Sequence, residues 1–157
     1  MKKSLLSITA MLIITVMLCS CGEKVSGWAR GEDLGNGVVA VLSDIESKNG
    51  ESWYCTADGS TGEILSVNII YPESFPAPGE TVCTVNKSSL EVSISSGERE
   101  SGGVLFITLP HDVSVSDCND KIKIVQHFGN KKCTLVFRPS DVFAALDPAA
   151  SASDSHR

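Results

Sequence analysis

The sequence predicts an all-β fold: a small, disulfide-stapled β-sandwich or barrel of about nine short antiparallel strands. Three observations carry that expectation. Apolar residues recur with a period of two, as in Leu90, Val92 and Ile94 set against Ser89, Glu91, Ser93 and Ser95. Turn-forming residues punctuate the chain at about 8–12-residue intervals. No stretch of useful length carries the 3.6-residue apolar period of an amphipathic helix.

In chain order, residues 38–42 form a continuous apolar run, the pattern of a strand covered on both faces. Residues 53–56 follow, with Trp53 and Tyr54 beside Cys55, and aromatics so placed are core formers. The segment Asp58-Gly59-Ser60-Thr61-Gly62 is a turn. Leu65, Val67, Ile69 and Tyr71 then alternate along a predicted strand. Residues 81–85 make another strand, and Asn86-Lys87-Ser88 turns into the alternating run 89–95. Beyond the Gly-rich stretch 97–103 lies a second continuous apolar run, 104–109. Pro110-His111 turns into residues 112–116. The strands 121–128 and 133–137 flank Gly129-Asn130. Only residues 140–146, after Pro139, suit a helical turn or two.

The N-terminus has another character. Lys2 and Lys3 precede an uncharged stretch, residues 4–18, that is rich in Leu, Ile, Met and Val. A basic head and an apolar core of roughly 7–15 residues make an export signal. A spanning helix needs about 20 apolar residues, whereas Ser7, Thr9 and Thr15 interrupt this run.

The run ends in Leu18-Cys19-Ser20-Cys21, which resembles the lipobox of bacterial lipoproteins: a branched apolar residue, two small ones, then cysteine. The resemblance implies cleavage before Cys21 and a diacylglyceryl thioether on its sulfur. The expected organisation is a signal peptide (1–20), a lipidated flexible tether (21–36), a β-domain (37–146) and a disordered tail (147–157). Two or more acyl chains hold a protein stably at a bilayer, each buried CH₂ contributing about 0.8 kcal/mol. The expected location is the cell envelope. Gly22, rather than Asp, after the lipid site implies the outer membrane if the source is Gram-negative. Trp28, in the tether, either folds back onto the domain or sits at the lipid interface.

Composition narrows the partners. Without Lys2 and Lys3, 11 Lys and Arg face 19 Asp and Glu, a net charge of −8. Nucleic-acid binding requires a basic footprint, which this balance excludes. It also disfavours an electrostatic grip on anionic lipid, since that requires Lys/Arg clusters. With Cys19 removed and Cys21 acylated, Cys55, Cys83, Cys118 and Cys133 remain. An even number in an exported chain reads as two disulfides. Of the three connectivities, the sequence-local set Cys55–Cys83 with Cys118–Cys133 is favoured. No CxxC pair or His at ligand spacing points to a metal, and no cofactor is expected.

Catalytic signatures are sparse. His111 and His127 read as surface histidines and His156 lies in the tail; no G-x-S-x-G elbow accompanies them. Asp117 and Asp120, like Glu98 and Glu100, fall in predicted loops, where charge is solvated. No phosphate-binding glycine loop opens a helix, and the Asn86-Lys87-Ser88 sequon is idle in bacterial export. The expectation is a non-enzymatic envelope lipoprotein that binds an envelope protein or ligand. One candidate binding loop is Ser96, Gly97, Glu98, Arg99 and Glu100. Taken with Tyr54 and Gly59, it is similar to the Ser-Gly loop of the membrane-bound inhibitors of C-type lysozyme. That likeness implies an enzyme inhibitor, although Glu100 stands where that family has Tyr. A small envelope hydrolase is a third expectation.

Overall fold

The structure, a computed structural model, describes residues 23–30, 38–46, 52–60 and 62–146. The expected signal peptide, Cys21 and the tail 147–157 lie outside the described residues. Among the described residues, ten strands form two antiparallel sheets. They are β1 Ala29–Arg30, β2 Val38–Glu46, β3 Ser52–Ser60, β4 Glu63–Pro72, β5 Pro78–Val85, β6 Ser88–Ser89, β7 Ser93–Arg99, β8 Gly102–Thr108, β9 Ile122–Phe128 and β10 Lys131–Phe137. The six-stranded sheet runs β1-β2-β3-β4-β8-β7 and the four-stranded sheet β10-β9-β5-β6. Both sheets end in edge strands, so the barrel alternative is excluded. The helices among the described residues are α1, His111–Ser114, and α2, Pro139–Leu146.

One core lies between the sheets. Ala57, Val67, Ile69 and Ile107 face it from the larger sheet, and Ile122, Ile124, Phe128 and Leu135 from the smaller. Tyr71, Phe75 and Phe128 form an aromatic cluster, with Phe128 4.7 Å from Tyr71 and 5.2 Å from Phe75 between ring centroids. Tyr71 lies where a Cβ on Gly103 would stand, so β8 can pair beside that ring only as glycine there.

Three bulges set the facing of side chains. In β4, Ser66 pairs with Asp58 but Ile64 pairs with Gly59, which leaves Leu65 as an extra residue. Leu65 is therefore 50% exposed and Ile64 takes the buried position, contrary to the alternation read from the sequence. In β2 the register shifts between Leu42 and Ile45. In β5 the shift falls between Pro78 and Thr81. There the fully buried Gln126 amide donates to the Gly79 carbonyl at 3.2 Å and the His127 carbonyl at 2.7 Å, and accepts from the Thr81 hydroxyl. A polar side chain deep in the core is thus fully occupied.

Other expectations are corrected. Residues 89–95 do not form one strand: Leu90 N donates to Cys83 O in the smaller sheet, while β7 from Ser93 pairs with β8 in the larger. Leu90 and Val92 pack on the core during this crossing, and that produces their alternation. Residues 112–116 hold the helical turn α1 and a single bridge, Glu63–Val115, because β4 is already paired with β3 and β8. The run 104–109 is open on one side, with Phe106 and Thr108 exposed. Trp53 is buried, whereas Tyr54 points outward. Residues 23–30, expected as flexible tether, are fastened: Ser26 N donates to Val136 O at 2.6 Å, Trp28 meets Phe137 edge-on at 5.8 Å, and β1 pairs with β2. No helix among the described residues is long and apolar enough to cross a membrane.

Gln126→Leu should lower stability by about 1–3 kcal/mol in urea unfolding with an unchanged slope, because the Gly79 and His127 carbonyls and the Thr81 hydroxyl would lose the buried amide that partners them.

Candidate binding groove

The outer face of the smaller sheet follows from β9's alternation. Ile122, Ile124, Gln126 and Phe128 point inward, so Lys121, Lys123, Val125 and His127 lie on the other side. Register sets Val82 of β5 beside Val125 and Thr84 beside Lys123. Val82 is 40% exposed, an apolar floor open to water.

The rim is the two-residue turn joining β5 to β6. Asn86 has φ 47° and Lys87 φ 76°, the left-handed pair of a tight hairpin whose first position suits Asn but whose second is costly for Lys. Contacts to β9 hold it there. Asn86 N donates to Lys121 O at 2.9 Å, Lys121 N donates to Asn86 Oδ1 at 3.0 Å, and Asn86 Nδ2 donates to Asp120 Oδ1 at 2.8 Å. Lys87 thereby stands over the same face as Lys121 and Lys123.

Together these residues line a groove of about 780 Å³, with Val82, Thr84 and Val125 as floor and three lysines around it. The N-terminal arm supplies its acidic member. Glu23 Oε2 lies 3.2 Å from Lys121 Nζ, and Lys123 donates to Oε1. The Lys123 ammonium, then that of Lys121, holds the Glu23 carboxyl below its ordinary range. The arrangement can hold an anionic group that carries an apolar portion, and the carboxylate of Glu23 stands where such an anion would lie.

The residues singled out from the sequence fall elsewhere. Ser96, Gly97, Glu98 and Arg99 belong to edge strand β7, and only Glu100 reaches the turn, so the expected binding loop is one arm of a hairpin. Its Arg99 donates to the Tyr54 hydroxyl at 2.8 Å, beside a cleft of about 200 Å³ that Tyr71 and Pro72 also line. Cys55, Cys83 and Cys133 lie in the core and Cys118 at its margin, and all four are thiols in this structure. The sequence-local pairs are absent: Cys55 and Cys83 lie on strands of different sheets, and Cys118 lies outside the strand that carries Cys133. Burial pushes Cys83 and Cys133 up to about 11, and Cys55 further still.

His111 has a partner that adjacency to Asp112 does not suggest. Its Nδ1 is 3.1 Å from Glu63 Oε1, and the buried Ser114 hydroxyl donates to the same oxygen at 3.1 Å. These bonds hold the Glu63 carboxyl below its usual range, His111 contributing most. The carboxylate sits between serine and imidazole, so His111 does not bear on the Ser114 hydroxyl and the order differs from that of a Ser-His-acid triad. Among the described residues no group of three or more His, Cys, Asp or Glu is placed to hold a metal ion.

The groove's residues were missed from the sequence. The available signal was Lys121 and Lys123 at strand spacing, but nothing in the sequence joins them to Lys87 or Glu23. The chain matches no protein-family model, no curated protein and no solved structure.

Acidification should loosen the arm. A carboxyl with a depressed folded pKa contributes stability above its unfolded value, 4.5, and loses it as pH falls through the lower folded value. In a Trp53→Phe background, Trp28 emission should shift to the red below that pH and in molar salt, and Glu23→Gln should abolish the pH step.

Proposed function

We propose that the chain is a membrane-anchored cell-envelope lipoprotein whose β-domain is a non-catalytic binding module, with the lysine groove as its ligand site. The observation that carries this reading is the position of Glu23, two residues after Cys21 and seated in the groove. Two residues of extended chain reach about 7 Å at most. A lipid on Cys21 would therefore hold the groove against the headgroup region, with no long spacer between them. The leader and lipobox support the anchoring. The three lysines and the valine floor support an anionic, partly apolar ligand or partner surface. The chain's negative charge disfavours a general grip on anionic surfaces; the groove's local charge is of the other sign.

A second reading, an inhibitor of a C-type lysozyme, has one observation in its favour. Glu98 and Glu100 are exposed at the β7–β8 hairpin, where they would suit a basic cleft. A lysozyme rate unchanged at micromolar protein ends that reading.

The anchoring is tested by Cys21→Ser. The wild-type chain should partition with membranes and carry the mass of acyl chains on its N-terminal peptide. The variant should keep its leader uncleaved by the lipoprotein peptidase and gain no acyl mass. An unmodified wild-type Cys21 would overturn the reading. For the groove, a short-chain fatty acid or alkyl phosphate should bind Glu23→Gln several-fold more tightly than wild type, and Lys121→Gln/Lys123→Gln at least tenfold more weakly.

A further inference from the structure

A sheet edge with free N–H and C=O groups is a template for another strand. Most edges of this fold are blunted. β1 and β6 are each two residues long. The strands they only partly cover, β2 and β5, each carry a bulge, and β5 begins at Pro78. β10 opens with Lys131 and Lys132, and Ser26 is bonded to it at Val136 O. β7 is different: its seven residues contain no Pro and no Lys, and its register to β8 is unbroken. Every residue in it but Gly97 is exposed. We infer that β7 is a self-association edge: it pairs antiparallel with β7 of a second copy of this chain, about a twofold axis at Ser96, and the two larger sheets become one.

The hairpin fixes which backbone groups point outward. Arg99 pairs with Gly102 across the two-residue turn Glu100-Ser101, and a pair that closes so tight a turn exchanges both its hydrogen bonds. Such pairs alternate along an unbroken antiparallel ladder. Ser93, Ser95, Gly97 and Arg99 are therefore committed to β8, and the N–H and C=O of Ile94, Ser96 and Glu98 lie on the free side. Among the described residues no further backbone bond reaches them. In the twofold register Ser96 meets the partner's Ser96, and Ile94 meets the partner's Glu98. All three outward residues of each strand then have a counterpart. Neighbouring registers would have to draw in Val92 or Glu100, which lie outside the strand.

The edge suits a copy of itself. Its centre, Ser95-Ser96-Gly97, is small and uncharged. The two Glu98 side chains stand four positions apart, about 13 Å, which is beyond the screening length of about 8 Å at physiological salt. Apolar surface flanks the edge on both faces. Ile94 is 45% exposed and Phe106 37% exposed, and the Phe106 ring lies 3.3 Å from where a Cβ on Gly97 would stand. A strand laid alongside covers part of each. Among the described residues no second edge is as long and regular, so the contact is isologous and closes at two copies instead of growing into a fibre. β7 belongs to the larger sheet, and the pairing is independent of whether the lysine groove of the smaller sheet binds a ligand.

The test uses the full chain in a non-ionic detergent that accommodates its apolar N-terminal run. So small a contact is a weak one, and sedimentation equilibrium is therefore compared at about 1 and about 500 µM. The mass should rise from one chain to two and no further. Amide exchange followed by NMR should slow at least about tenfold at Ile94, Ser96 and Glu98 at the higher concentration. Ser95 and Gly97, already bonded to β8, should not change. Ser96→Pro removes only an outward N–H, and Ser96→Lys sets two ammonium groups against each other across the axis. Both should stay single at the higher concentration, with unchanged exchange at Ile124 showing that each is folded. A wild-type chain that stays single, growth beyond two copies, association that survives in either folded variant, or protection spread evenly along β7 overturns the inference. Protection that appears only when a cell extract is added assigns the edge to another protein and overturns it as well.

Discussion

The inward row of β9 organises this molecule. Ile122, Ile124, Gln126 and Phe128 are each completely buried, and the strand is paired along its length with β5 on one side and β10 on the other. Burial of a large apolar side chain contributes about 1.5–3 kcal/mol, and the side chains facing this row come from both sheets. The same alternation that drives these residues inward obliges Lys121, Lys123 and Val125 to face water. The core and the groove are two faces of one strand, and a register slip of one residue would destroy both.

That dependence extends to the N-terminal arm. Val136 is buried on β10 where Ser26 bonds to it, and Trp28 meets Phe137 at the end of the same strand. Glu23 is carried by these contacts to Lys121 and Lys123. The ion pairs are exposed and individually weak. The arm's placement therefore rests on the backbone bond, the aromatic contact and these charges together. A hairpin turn with Lys87 in a left-handed conformation completes the rim, a local cost held in place by three hydrogen bonds between Asn86 and β9 and its approach.

Much of the architecture was legible in the sequence because a strand in a two-layer β fold is half solvated, and half solvation writes a period of two. The strands β9 and β10, the helix after Pro139 and the turn at Asn86-Lys87 follow from that pattern and from turn chemistry. The failures are instructive. Leu90 and Val92 alternate because a crossing segment also turns every second residue to the core, so period alone does not name the strand's partner. Leu65 alternates in sequence but a bulge turns it outward, and no local signal records the extra residue. The segment around Val113 has strand-like composition but lies beside β4, which is already paired on both sides.

The sequence by itself determined the chain's acidic balance and its β class, since each is a sum or a period over neighbouring residues. The tertiary structure alone decided that Glu23, Lys87, Lys121 and Lys123 share a groove and that Glu63 stands between His111 and Ser114. Those groupings join residues tens of positions apart. Their proximity depends on strand order and register, which are set by the collective burial of two sheet faces and by no local preference.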